Sequence, residues 1–188
     1  MIRIAVVGGG IVGLSAAYAF KKSQPMAEIT VIEKEERWAA HQTGNNSGVI
    51  HSGIYYQPGS FKARFARKGG EAIINFCRQF GIRYERCGKV IVAVNEKERT
   101  LLRKLYLRGL ENGLDVKLIN KNELKEREPH INGVEGILVK QTGIVDYVQV
   151  CETLAELLRN EGAELLLKTE VKQIIEDTFG VQVITKNN

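Results

Sequence analysis

Six residues near the start, Gly8-Gly9-Gly10-Ile11-Val12-Gly13, have the G-x-G-x-x-G spacing, and an acid, Glu33, follows 20 residues after Gly13. Gly8 permits a tight turn off a strand, Gly10 lets the backbone approach a pyrophosphate, and Gly13 lets a helix lie against a sheet. The start of that helix offers unpaired N–H groups and a positive partial charge to an anion. No acidic residue precedes Glu28, so nothing in the turn repels one. A carboxylate at Glu33 is placed to accept hydrogen bonds from the ribose hydroxyls of an adenosine. The glycines alone would be weak evidence, and the plain alternative is a glycine-rich turn with no ligand. The flanking elements favour dinucleotide binding.

Those elements come in the required order. Residues 2–7 are a β-branched, apolar run of the kind that forms a buried parallel strand. A helical pattern follows with Ile11, Leu14, Ala17, Ala19 and Phe20 on one flank, and residues 29–32 form a second strand ending on Glu33. Residues 34–60 lack periodicity and are dense in small and polar side chains, as in a binding loop. Residues 61–80 read as a helix with Phe61, Phe65, Ala72 or Ile73, Phe76 and Phe80 facing the core, and Gly69-Gly70 marks a weak point or a close backbone contact.

Further along, residues 88–94 read as a strand, and Asn95 caps a helix over 96–112 with Leu101, Leu102, Leu105, Tyr106 and Leu110 inward. A strand at 114–119, a short helix at 122–126 stopped by Pro129, and a strand at 134–139 follow. Residues 145–147 open a helix reaching about residue 160, and strands are expected at 164–167, 171–175 and 181–185, with a turn at 177–180. The fold class is α/β: an incomplete Rossmann-like dinucleotide-binding domain with an inserted α+β part of a substrate domain. The expected division is 1–86 for the first part of the binding domain, 87–143 for the insertion and 144–188 for its continuation.

Composition excludes several alternatives. With 44% apolar residues the 188-residue chain supports a real core, and no segment approaches the roughly 20 apolar residues that span a bilayer. The first strand begins at once, so no leader is expected. Cys77, Cys87 and Cys151 are spaced for neither a disulfide framework nor zinc, which reads as buried thiols in a reducing, cytoplasmic setting. The three histidines have no paired carboxylates, so no metal site is expected. The net charge of +5 is spread among Glu, Lys and Arg on polar faces, which argues against a nucleic-acid partner.

The run His41-Gln42-Thr43-Gly44-Asn45-Asn46-Ser47-Gly48-Val49-Ile50-His51-Ser52-Gly53-Ile54-Tyr55-Tyr56 resembles the L-2-hydroxyglutarate dehydrogenase/oxidase family, within the FAD-dependent D-amino-acid-oxidase-like superfamily. The likeness continues through Lys62-Ala63-Arg64, Cys87-Gly88-Lys89 and Thr142-Gly143-Ile144-Val145-Asp146-Tyr147. It implies FAD as the cofactor and a small 2-hydroxy acid as the substrate. Cofactor contacts are then expected at Gly8, Gly10, Ile11, Val12 and Gly13 for the diphosphate, and at Glu33 and neighbouring Lys34 for the adenosine. Thr43, Gly44, Asn45, Asn46, Ser47 and Gly48 would run past the diphosphate and flavin, and the backbone at Val171 would meet the adenine edge. Members of that family continue for about as long again. The chain is therefore expected to be an N-terminal half, inactive alone, whose remainder follows or comes from another chain. Its electron acceptor is open; a quinone would add peripheral membrane association.

Oxidising a 2-hydroxy acid needs a base for the hydroxyl proton and cations for the carboxylates. His51, directly after the flavin-side glycines, is the best base candidate, since imidazole titrates near working pH; the plain alternative is a hydrogen bond within its loop. His41 has a weaker claim as a cofactor contact, and His130 reads as surface. Arg64, inside the family-like Lys-Ala-Arg, is the candidate clamp for a substrate carboxylate, against the alternative of a solvated helix face that also suits Arg67 and Lys68. Rival functions are an FAD-dependent oxidase of an amine or of glycerol 3-phosphate, and a non-catalytic flavin-binding half-module.

Overall fold

A computed structural model describes residues 2–178 and 180–186. It divides the chain into two units: residues up to Ser47 together with those from Asp146 onward, and Gly48–Val145 between them.

In the first unit, β1 (Arg3–Val7), α1 (Ile11–Ser23) and β2 (Glu28–Ile32) form the expected strand–helix–strand, with β1 and β2 parallel from Arg3↔Glu28 to Val7↔Ile32. The sheet order is β1-β2-β9, where β9 is Glu164–Leu166. The helix α5 (Tyr147–Asn160) precedes β9 and packs on α1; Asp146 caps it, accepting from the Val148 and Gln149 N–H groups. Leu14 and Ala17 of α1 and Val150, Cys151, Leu154, Ala155 and Leu158 of α5 are buried, each set recurring at helical spacing. Burial pushes the Cys151 thiol up to about 12, with Glu152 adding to the shift. A hairpin, β10 (Val171–Asp177) with β11 (Gly180–Thr185), completes the unit; the expected turn at 177–180 includes Phe179, which lies outside the described residues.

Two expectations about this unit need correction. β2 is the buried central strand, while β1 has one strand neighbour among the described residues and Val7 is 52% exposed. On α1, Ala19 and Phe20 face solvent, because the buried stripe passes through Leu14 and Ala17.

The second unit contains two antiparallel sheets. One joins β3 (Val49–Ile50), β8 (Gly143–Val145) and β4 (Tyr84–Glu85) in the order β3-β8-β4. The other joins β5 (Lys89–Ala93), β7 (Glu135–Val139) and β6 (Val116–Asn120) in the order β5-β7-β6. Its strands alternate faces as a pleat requires. Ile137 and Val139 of β7 join Ile54, Ala93, Leu102, Leu114 and Val116 in one cluster, whereas Leu138 joins Ile119 and Leu124 in another. Leu102 comes from α3 (Glu96–Glu111), capped by Asn95, and Leu124 from α4 (Lys121–Arg127), which carries a full capping box from Asn120 and Glu123. On α3, Leu101 and Leu110 are exposed, contrary to expectation.

The long helix α2 (Phe61–Phe80) has the expected bounds, and its N-cap is Ser60, accepting from the Ala63 N–H. Its buried stripe is another one. Ala63, Ile74 and Cys77 are buried while Phe61 and Phe65 are exposed and stack on each other at 5.8 Å. Gly70 lies beside β3, where an added Cβ would make ordinary contact with Ile50 Cγ2 at 3.5 Å. The second unit thus begins at Gly48, not at residue 87 as expected, because β3 and β4 share a sheet with β8. Cys77 is buried as expected, but Cys87 is exposed. No helix among the described residues is long and apolar enough to cross a membrane.

Candidate cofactor and substrate sites

The turn between β1 and α1 is held by backbone groups. The Gly8 N–H donates to Ile32 O at 2.8 Å, and Gly8 adopts φ +111°, a conformation side-chain-bearing residues rarely take. Helix α1 starts with Gly10 as N-cap and has neither a side-chain cap nor an acid in its first turn. The N–H groups of Ile11, Val12 and Gly13 precede the first intrahelical bond, Leu14 N–H to Gly10 O at 3.0 Å. Ile11 donates to Thr43 Oγ1 at 3.1 Å. Helix geometry leaves the Val12 and Gly13 donors at the positive end of the helix, the arrangement that binds phosphate. Gly13 has to be glycine for contact reasons: its Cβ would stand 2.0 Å from Gly8 O.

Glu33 closes the site. Its side chain is almost wholly buried, at 9% exposure, and Oε2 accepts from the Gly9 N–H at 2.6 Å while Oε1 accepts from the Glu35 N–H at 3.0 Å. A carboxylate offers about four acceptor positions, so two remain for ribose hydroxyls. The backbone around it is tied on both sides: Glu33 N–H donates to Leu166 O at 2.8 Å, and Glu33 O accepts from the Thr169 N–H at 2.9 Å. Lys168 N–H reaches Glu35 O at 2.9 Å, which brings the segment leading to Val171 alongside the Glu33 turn. Trp38, which sequence patterns did not single out, packs against Gly9; a Cβ on Gly9 would lie 2.4 Å from Trp38 Cε3. Ala39 N–H donates to Gly9 O at 3.0 Å, completing a frame around the Gly9 peptide. Donors at a helix start, glycine clearance and a fixed buried carboxylate fit the diphosphate and ribose of a dinucleotide.

The loop after β2 is braced by its own amides. Asn45 Nδ2 donates to Ala40 O at 3.0 Å and His41 O at 2.7 Å, and Asn46 Nδ2 to Gln42 O at 3.0 Å and Thr43 O at 2.7 Å. These amide donors therefore shape the Thr43–Gly44 segment that borders the turn. Gly44 N–H closes on His41 O at 3.0 Å. His41 Nε2 lies 2.9 Å from Glu35 Oε1, and Lys34 Nζ is 3.8 Å from the same oxygen, both exposed. Ser47 is exposed, and Gly48 belongs to the second unit, where its carbonyl accepts from Val145 N–H at 2.9 Å.

His51 and Arg64 also belong to the second unit. His51 follows β3 and is exposed. The Arg64 guanidinium stands 5.4 Å over the Phe61 ring. It lines a cleft of about 240 Å³ with Gly59, Ala63, Arg67, Lys68, Glu111 and Asn112. Arg67 Nη1 donates to Asn112 O at 3.4 Å, so that cation caps α3, whereas among the described residues no hydrogen bond or ion pair holds the Arg64 guanidinium or the Lys68 ammonium. The structure thus brings Gly8, Gly10, Ile11, Gly13, Glu33 and Thr43 together within the first unit.

A parallel β–α–β with this turn and this carboxylate defines an FAD- or NAD-type binding unit. Residues 3–188 match the FAD dependent oxidoreductase family, and the chain belongs to it. The L-2-hydroxyglutarate dehydrogenase of Escherichia coli strain K12 is 43% identical over 186 residues, covering 99% of this chain and 44% of that protein. The mitochondrial L-2-hydroxyglutarate dehydrogenase of Homo sapiens is 46% identical over 172 residues, covering 91% and 37% respectively. The chain spans less than half the length of these relatives. Among solved structures, L-alpha-glycerophosphate oxidase from Mycoplasma pneumoniae with FAD bound superposes at TM-score 0.89 with 30% identity, covering 100% of this chain and 51% of that one. L-Proline dehydrogenase from P. horikoshii, at TM-score 0.87 and 23% identity over 99% of this chain and 49% of that one, shows the same fold.

Proposed function

We propose that the protein carrying this chain oxidises L-2-hydroxyglutarate, or a close 2-hydroxy dicarboxylic acid, to the 2-oxo acid with FAD. The observation that supports it most is the Glu33 carboxylate fixed beside the Gly8–Gly13 turn, in a chain 43% identical to an L-2-hydroxyglutarate dehydrogenase over 99% of its length. Gly10, Ile11, Val12 and Gly13 would hold the diphosphate, Glu33 the adenosine ribose, and Thr43 and Gly44 would border the cofactor. When bound, FAD supplies the hydride acceptor.

The chain's own residues supply the rest. His51 takes the proton of the substrate hydroxyl, which needs a neutral imidazole within hydrogen-bond reach. Arg64, with no carboxylate paired to it among the described residues, and Lys68, one turn further along α2 and lining the same cleft, hold a substrate carboxylate. A dicarboxylate fits such a pair better than a neutral amine. The rival reading, oxidation of glycerol 3-phosphate, has the 30% identical FAD-bound structure in its favour.

Anaerobic mixing of the flavin-loaded full-length protein with each acid in turn tests this. Loss of the oxidised flavin absorbance with L-2-hydroxyglutarate, and not with the D-enantiomer or glycerol 3-phosphate, is the expected result. Bleaching by glycerol 3-phosphate alone would transfer the assignment to the rival.

A further inference from the structure

We propose that the second unit carries a binding site for one structural water molecule, bridging Ser52 Oγ and Gln141 Oε1. Ser52 lies just past the end of β3 and is 4% exposed. Gln141 lies in the turn between β7 and β8. Both atoms are fully buried and have no hydrogen-bond partner among the described residues. Both residues line one cavity of about 10 Å³, together with His51, Ala66, Arg67, Gly70, Glu71 and Leu114. That is the size of a single water site, and a cavity that stays dry is lined by apolar groups.

The strand register points to the same pair. β3 and β8 are antiparallel, with Val49 opposite Ile144 and Ile50 opposite Gly143. Continued by two residues, the same register sets Ser52 opposite Gln141. The backbone ladder stops at Ile50 and Gly143, and the water takes the place of the next rung, side chain to side chain.

Chemistry selects water over other small occupants. A glutamine carbonyl only accepts and a serine hydroxyl both donates and accepts, so the bridging species must donate to one and exchange with the other. An anion would be repelled by Gln141 Oε1. A cation would be repelled by Arg67, and Glu71 already pairs with Arg86 at 2.8 Å. A neutral molecule with two donors and two acceptors satisfies both atoms, as nearly all buried polar groups in folded proteins are satisfied. The bridge ties the strand end that bears His51 to the β7–β8 turn.

A crystal structure of the full-length protein that resolves ordered waters tests the site directly. One water within hydrogen-bond distance of both atoms is expected, and it should be absent from the Ser52→Ala, Gln141→Met double variant. Chemical denaturation supplies the second arm. Each single substitution should lower the folding equilibrium constant roughly 5- to 30-fold, with the double variant losing clearly less than the product of the two. A cavity without an ordered atom, an ion at metal-ligand distances, Ser52 Oγ bonded to a main-chain carbonyl, or losses that multiply independently would each overturn the proposal.

Discussion

The two units hold their candidate residues in opposite ways. In the first, the groups offered to the proposed cofactor are the Val12 and Gly13 N–H groups and the Glu33 carboxylate, carried on a backbone fixed by hydrogen bonds: Gly8 to Ile32, Gly9 to Glu33, Ile11 to Thr43 and Thr169 to Glu33. In the second, Arg64 stands on a helix face and lines an open cleft, and His51 is exposed. A diphosphate is bound the same way whatever the substrate, so its site is built from backbone geometry that few residue types satisfy. Substrate choice rests on side chains whose placement no spacing rule dictates. The rigid half is consequently the half that a sequence reveals.

The largest expected effect lies in the second unit. Replacing His51 by Gln in the full-length protein should slow flavin reduction about 10²–10⁴-fold while leaving substrate affinity and the flavin spectrum close to wild type. An unchanged reduction rate would remove His51 from proton transfer and leave the second unit without a base among the residues considered.

Glu33→Ala comes next and should act on stability as well as on flavin. The Gly9 N–H would lose its Glu33 acceptor in a buried setting, at a cost of about 1–3 kcal/mol, and the ribose would lose its carboxylate. Denaturation midpoint and flavin-to-protein ratio should fall together. A variant that loses flavin with full stability would show that the Gly9 peptide is held by Trp38 and Ala39 alone.

Thr43→Val is a finer probe, removing one acceptor from the start of α1. It should cost about 0.5–1.5 kcal/mol and weaken flavin binding, and Thr43→Ser should restore both. A loss in Thr43→Ser with Thr43→Val close to wild type would make the threonine methyl, not the hydroxyl, the important group.

The smallest effect belongs to the second unit's surface. The Arg103 guanidinium, bonded to Glu135 at 3.0 Å, holds that carboxyl below the usual carboxylate range, with Arg99 adding to it. A depressed folded pKa gives stability that is present above the unfolded value and lost as pH falls through the folded one. Glu135→Gln should therefore be less stable than wild type at neutral pH, and the difference should vanish in acid. A constant difference across that range would mean the pair contributes packing and no charge interaction.

Long elements were legible in both units. The β–α–β unit, α2, α3 with its Asn95 cap and α5 all fall where the sequence placed them, while the Asp146 cap of α5 emerged from the structure. The strands β3, β4 and β8, of two or three residues, are too short for a period to register. On α2 the large aromatics Phe61 and Phe65 suggested the wrong face, because the inner stripe runs through small residues such as Ala63 and Cys77 that let the helix pack closely. Trp38 carried no signal, since its role comes from meeting Gly9 across a turn. Glu33 was legible by position, but its bond to Gly9 was not, because nothing in the spacing says which way a carboxylate turns.

Amide hydrogen exchange of the full-length apoprotein, with and without FAD, tests most directly whether the first unit's backbone holds the cofactor. Binding should slow exchange at Val12 and Gly13, with Thr43 and Gly44 following, and leave α3 and α4 unchanged. Saturation with FAD that leaves the amides at the start of α1 exchanging at their original rate would contradict the account.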